Sequence, residues 1–246
     1  MPEIALPLVI FLAGVVNGWT SVGFAMITAA ALALTIDPKM AVLLLAVTNP
    51  FISSVQIVNH RRQAPGWQRL LPVAVGAFAG VPVGAVLLGI LPREAIAVLL
   101  GLLAVFFAVT TLAGRGPRIS VAWQPVAAPI AGLAAGVANG TVGVSGPVLG
   151  TYLLAIGTTP AAFGFSISLL FLSMGVVRFV SLIVLGQLTG ALITTGALLL
   201  VPALVGQQLG LQLHRLVSPD RARQGALLVI GVAGLSLIAR GIGLLG

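Results

Sequence analysis

A chain of 246 residues that is 59% hydrophobic and 7% charged, with a mean hydropathy of +1.19, is not a water-soluble domain, because such domains carry about 25% charged residues. Twelve Lys and Arg, four Asp and Glu and two His cannot clothe its surface, so most of that surface faces lipid. The excess of +8 sits in short loops between apolar runs, where it reports membrane orientation and not a nucleic-acid partner; the lack of cysteine excludes disulfides, thiolate metal sites, Fe–S clusters and Cys nucleophiles.

In chain order, apolar stretches bounded by charge or turn residues cover 5–35, 39–59, 70–91, 95–113, 126–157, 161–185, 189–213 and 226–243. No removable signal peptide is expected, since the first run follows Glu3, lacks a basic leader and precedes many similar runs. Period-2 alternation is absent, and backbone groups in lipid need internal partners, so the fold class is an all-α integral membrane protein. Two stretches, 5–35 and 126–157, would make helices of roughly 46 Å against a hydrocarbon core of about 30 Å. Both are interrupted, by Asn17-Gly18-Trp19-Thr20-Ser21-Val22-Gly23 and by Asn139-Gly140-Thr141-Val142-Gly143-Val144-Ser145-Gly146-Pro147.

The interruptions also repeat. A shift of 122 lays Ala13-Gly14-Val15-Val16-Asn17-Gly18 on Ala135-Gly136-Val137-Ala138-Asn139-Gly140, Pro38 on Pro160 and Gln56 on Arg178; a shift of 120 lays Gly76 and Pro82 on Gly196 and Pro202. Two membrane repeats follow, 1–118 and 119–246. If every stretch crosses the bilayer, basic residues divide six against five. If 5–35 and 126–157 are re-entrant hairpins of two half-helices, Arg61, Arg62, Arg69, Arg115, Arg118, Arg215, Arg221 and Arg223 face Lys39, Arg93 and Arg240. Eight against three is a usable bias, and it makes the first side cytoplasmic. Each half is then a hairpin plus three transmembrane helices, an odd number, so the repeats are inverted. Ten helical pieces, six of them full spans, and two non-cytoplasmic termini are expected. The competing reading of the long stretches is a pair of tilted helices with glycine kinks.

In a hairpin the second half-helix starts at mid-depth, where its unpaired N–H groups and partial positive charge attract an anion. Thr20, Ser21 and Ser145 are capping types, Pro147 suits a first turn, and Gly18, Gly23, Gly140, Gly143 and Gly146 would bare backbone to a ligand in one shared central cavity. Close helix packing is the alternative role of such glycines. Arg178 is the one charge inside a long apolar run; substrate contact and snorkelling to the interface are equal readings of it. Its repeat mate Gln56 lies near Ser53, Ser54 and the Asn49-Pro50 kink, with Ser166, Ser168 and Ser173 as polar counterparts. The candidate substrate-binding set is Asn17, Gly18, Thr20, Ser21, Gly23, Asn49, Gln56, Asn139, Gly140, Thr141, Ser145, Gly146, Ser166 and Arg178. Glu3, Asp37, Glu94, Asp220, His60 and His214 all fall at segment ends, so no catalytic or metal cluster, no cofactor and no enzymatic activity are expected.

Two Gly-rich breaks, each followed by a polar kinked helix and a Gly/Pro helix, make the chain resemble the TauE/SafE family of sulfite exporter-like anion permeases over nearly its whole length. The resemblance places the family's break at Ala13 through Gly23 and at Ala135 through Pro147. It implies transport of small sulfur-containing anions, such as sulfite, sulfoacetate, thiosulfate or other organosulfonates, across the bacterial inner membrane. Members commonly carry three successive glycines there, where this chain has Val22-Gly23-Phe24 and Val144-Ser145-Gly146, which leaves the particular anion open. The expected partners are a small anion and lipid, with oligomeric state open and a homodimer one arrangement. A multispan scaffold or assembly factor without substrate is the alternative function.

Overall fold

The computed structural model describes residues 2–20, 24–60, 70–113, 118–213 and 219–244. Among these residues there is no strand, and ten α-helices follow in order: α1 Pro2–Thr20, α2 Phe24–Thr35, α3 Pro38–His60, α4 Leu71–Ile90, α5 Arg93–Ala113, α6 Gln124–Val142, α7 Gly146–Ala155, α8 Pro160–Val184, α9 Gly190–Leu213 and α10 Pro219–Gly241. A 3-10 turn, Val121–Trp123, leads into α6. Local chemistry starts several of them. Asp37 Oδ1 accepts from the amides of Lys39 (2.9 Å) and Met40 (3.1 Å) ahead of α3, and Thr159 Oγ1 accepts from Ala162 N at α8. Prolines occupy first-turn positions in α4, α6, α7 and α8, where their missing N–H costs nothing.

Contacts between helices fix their directions. Gln56 meets Ser168, Pro50 meets Gly175 and Val42 meets Arg178, so α3 and α8 are antiparallel. Gly101 meets Gly234 while Glu94 meets Gly241, so α5 and α10 are antiparallel too. In contrast, α4 runs parallel to α6, with Gly76, Gly80 and Gly84 against Pro129, Leu133 and Val137, and α1 runs parallel to α9, with Gly14 and Gly18 against Ala203 and Gln207. Gln187, just past α8, donates to Ala85 O near the end of α4 at 2.9 Å, so α8 also runs parallel to α4. With α6 and α8 parallel, the chain must return through α7. It does: Ile119 N–H, ahead of α6, donates to Ala155 O at the end of α7 at 2.9 Å. By the same parity α2 returns between the parallel α1 and α3.

The hairpins differ from the expected pair of half-helices. Their arms are unequal, 19 and 12 residues in the first and 19 and 10 in the second. The turn also lies beyond mid-depth, because Gly140 meets Gly84, only six residues or about 9 Å before α4 ends. The long arm is why, among the described residues, seven helices and not six are long and apolar enough to cross a membrane, Val121–Val142 among them.

Close packing ties α1 to α9 and α4 to α6. A methyl group on Gly18, Gly76, Gly80, Gly84, Gly132, Gly136, Gly140, Gly206 or Gly210 would collide with a carbonyl oxygen of the neighbouring helix, so the backbones are in direct contact, the geometry of small-xxx-small pairs. The contacts recur along the chain. Gly84 meets Val137, Gly140 and Thr141; Gly210 meets Val15, Gly18 and Trp19, each 122 residues before those partners. The offset from Gly84 to Gly210 is therefore 126, and the expected match at 120 is corrected: Gly196 packs on Val47 of α3.

Lys39 Nζ donates to Gly89 O, Arg240 Nη1 donates to Leu34 O, and Arg93 starts α5 just past α4. These three cations share one end of the bundle, and Arg118, next to Ile119, lies at the other. Arg61, Arg62, Arg69, Arg115 and Arg215 lie outside the described residues. In this cysteine-free chain, Lys39→Cys and Arg240→Cys are expected to react with an impermeant maleimide from the same face of a sealed vesicle, and Arg118→Cys from the opposite face.

Candidate functional site

The second hairpin turn is built by two helix ends. α6 stops at Val142 because Gly143 adopts φ +77°, and its N–H closes on Asn139 O at 2.9 Å, a glycine C-cap. α7 begins after Ser145, whose Oγ accepts from Asn139 Nδ2 at 3.3 Å. A partly negative carbonyl end and a partly positive amide end thus meet at one turn, where the sequence had pointed to the amide end alone.

Arg178 of α8 reaches this turn. It is 1% exposed, and its Nη2 donates to Val42 O of α3 at 2.6 Å. Its Nε has no hydrogen-bond partner among the described residues. The guanidinium lies against Gly143, where an added Cβ would fall 2.7 Å from Nη1 and 3.1 Å from Nη2. Complete burial in the protein replaces the snorkelling reading of Arg178. Gly143→Ala is expected to cost about 1–2 kcal/mol through its left-handed backbone, lowering the unfolding midpoint by a few degrees. Because it also displaces the guanidinium, affinity for a transported anion is expected to fall at least tenfold; this is read by thermal unfolding and uptake on one preparation.

The first turn carries a neutral network. Asn17, 1% exposed, accepts through Oδ1 from Phe24 N at 3.0 Å and from Gln56 Nε2 at 3.3 Å. Ser168 Oγ shares its proton between Gly164 O of its own helix at 2.7 Å and Gln56 Oε1 at 3.3 Å. Asn17 therefore caps the first amide of α2 and is joined through Gln56 to α8. Ser21 and Gly23 lie outside the described residues, as does the side chain of Thr20. Gln56 and Arg178, 122 residues apart, each reach the turn of their own hairpin, and only the second brings a charge.

Other members of the expected set are placed differently. Gly18 and Gly140 lie inside α1 and α6 with their faces closed by Gln207 and Val81, so helix packing occupies two of the five positions expected to bare backbone to a ligand. Thr141 Oγ1 and Ser166 Oγ donate to Val137 O and Ala162 O of their own helices. Asn49 is half-buried before Pro50. Gly146 has room, with Phe171 Cζ 3.6 Å from an added Cβ. The two turns are set apart along α8: Ser168 and Arg178 stand ten residues apart, about 15 Å of rise.

Sequence reasoning passed over Gln207 and Thr28, both buried, with Oε1 and Oγ1 unpartnered among the described residues. A glutamine between Gly206 and Gly210 in an apolar run was the available signal. The backbone acceptor at Val42 left no signal at all.

The family model described as Sulfite exporter TauE/SafE matches residues 6–237, and the chain belongs to that family. It is accordingly a multi-pass membrane protein of an anion-permease family whose members are transporters. No curated protein and no solved structure matches it.

Proposed function

We propose, from that membership, that this chain is a secondary permease for small sulfur oxyanions such as sulfite or organosulfonates in the bacterial inner membrane. In this reading the chain comprises two inverted halves, 1–118 and 119–246, with both termini non-cytoplasmic. The recurrence of the Gly84 contacts at Gly210 and the antiparallel pairing of α3 with α8 support it. Substrate binds between the halves, beside the second turn.

The observation that carries the proposal is Arg178. A wholly buried guanidinium with an unused Nε and no carboxylate beside it among the described residues is costly in a membrane interior, and an oxyanion is its natural counter-ion. In this reading the anion also meets the turn that Arg178 touches at Gly143, where Asn139 is bonded to Ser145. Purified protein in sealed vesicles is expected to take up labelled sulfite or a labelled sulfonate. No flux of any such anion by correctly folded protein would overturn the proposal.

A further inference from the structure

The charge available to a guest can be counted. Away from the segment ends Arg178 is the only charged side chain in the apolar segments, because every Asp, Glu, Lys and His, and every other Arg, stands at or within a turn of a segment end. Helix termini add partial charges, but at the second turn the carbonyl end of α6 and the amide end of α7 lie within four residues of one another, so their contributions of opposite sign offset. The ends of α1 and α2, Thr20 and Phe24, are likewise four residues apart, and the side chain 122 residues before Arg178 is the neutral Gln56, bonded to Asn17 and Ser168. The described interior therefore offers one unit of positive charge and no second cation.

We infer that the site selects anions by valence and binds a monovalent oxyanion, such as hydrogensulfite or an organic monosulfonate, in preference to a dianion of similar size. This rests on the permease reading given above. One negative charge against Arg178 makes a neutral buried pair. A dianion leaves one charge uncompensated in a low-dielectric interior, where its desolvation is not repaid. The unpartnered Nε supplies a donor for the guest without breaking the bond to Val42 O, and a sulfonate or hydrogensulfite presents oxygen acceptors to it. For sulfite, the species carried is then the singly protonated form, and the proton crosses on the substrate, in keeping with an interior without carboxylates.

The test is competition for uptake by the wild-type protein in vesicles, using a labelled monosulfonate as tracer and unlabelled methanesulfonate, sulfate, thiosulfate and sulfite as competitors. Methanesulfonate is expected to compete at least tenfold more strongly than sulfate or thiosulfate. Sulfite potency should decline about tenfold per pH unit once hydrogensulfite loses its proton, while methanesulfonate potency stays flat. Dianions that compete as well as methanesulfonate, or sulfite potency that rises with pH, would overturn the valence inference and leave a permease standing. Absence of tracer uptake, with no shift of the unfolding midpoint by any of these anions, would overturn the permease reading and this inference together.

Discussion

Arg178→Met should abolish anion transport while leaving the protein at least as stable as the wild type. A buried charge held by a single carbonyl contributes little to folding, and an apolar residue of similar volume in its place is commonly neutral or stabilising. The transported anion, however, loses its charged donor. That loss is about 3 kcal/mol, or roughly 150-fold in Kd. Arg178→Lys retains the charge but not the planar fork and should recover part of the affinity; Arg178→Ala should behave as Met in transport and be less stable, because it leaves a cavity beside Val42 and Gly143. Uptake rates and unfolding midpoints measured on the four proteins separate the alternatives. Wild-type transport by the Met variant would make Arg178 a structural tie between α3 and α8.

The second large effect concerns folding. Gly84→Ala sets a methyl group against Val137 O and the backbone of Gly140, where neither neighbour is a side chain that can rotate aside. A cost of about 3 kcal/mol, at the top of the range for overpacking, corresponds to a fall of roughly 6–12 °C in unfolding midpoint. Gly210→Ala, in the matching position against Val15 and Gly18, should cost about as much. Gly190, the first residue of α9, has no neighbour within 4 Å of an added Cβ, and Gly190→Ala should change stability by less than about 0.5 kcal/mol. Equal behaviour of Gly84→Ala and Gly190→Ala in a thermal scan would remove backbone contact as the reason for the glycine rows.

Much of this architecture was readable because lipid imposes a strong code. Each of the eight apolar segments overlaps one or two of the ten helices, although α10 starts seven residues before its segment, and the two overlong segments are the two that double back. The position of the break was not readable. Asn17-Gly18 and Asn139-Gly140 look like helix breakers, yet both lie inside helices, since Gly14 with Gly18 and Gly136 with Gly140 form rows that a neighbouring helix fills. The four-residue spacing of those rows was the signal for packing, and the residue that does end α6 is Gly143, distinguished only by its positive φ. The offset of 122 pairs Gln56, which meets Asn17 of α1, with Arg178, which meets Gly143 after α6, whereas 120 followed a glycine and a proline and missed the glycine row at 126. At the site, side-chain type pointed to Asn17, Gln56, Asn139, Ser145 and Arg178. Which of them meet depends on helix register, and the carbonyl of Val42 has no side-chain signature at all.

The crosswise pairing of α1 with α9 and of α4 with α6 has a consequence for biogenesis. α1 leaves the ribosome before α9, and its glycine face lacks that partner until α9 follows, some 190 residues later, a wait of about 10 to 40 s at ordinary elongation rates. Through that interval the nascent chain must be shielded within the insertion machinery. A polypeptide truncated before α9 would reach the bilayer with the backbone of α1 uncovered by its partner.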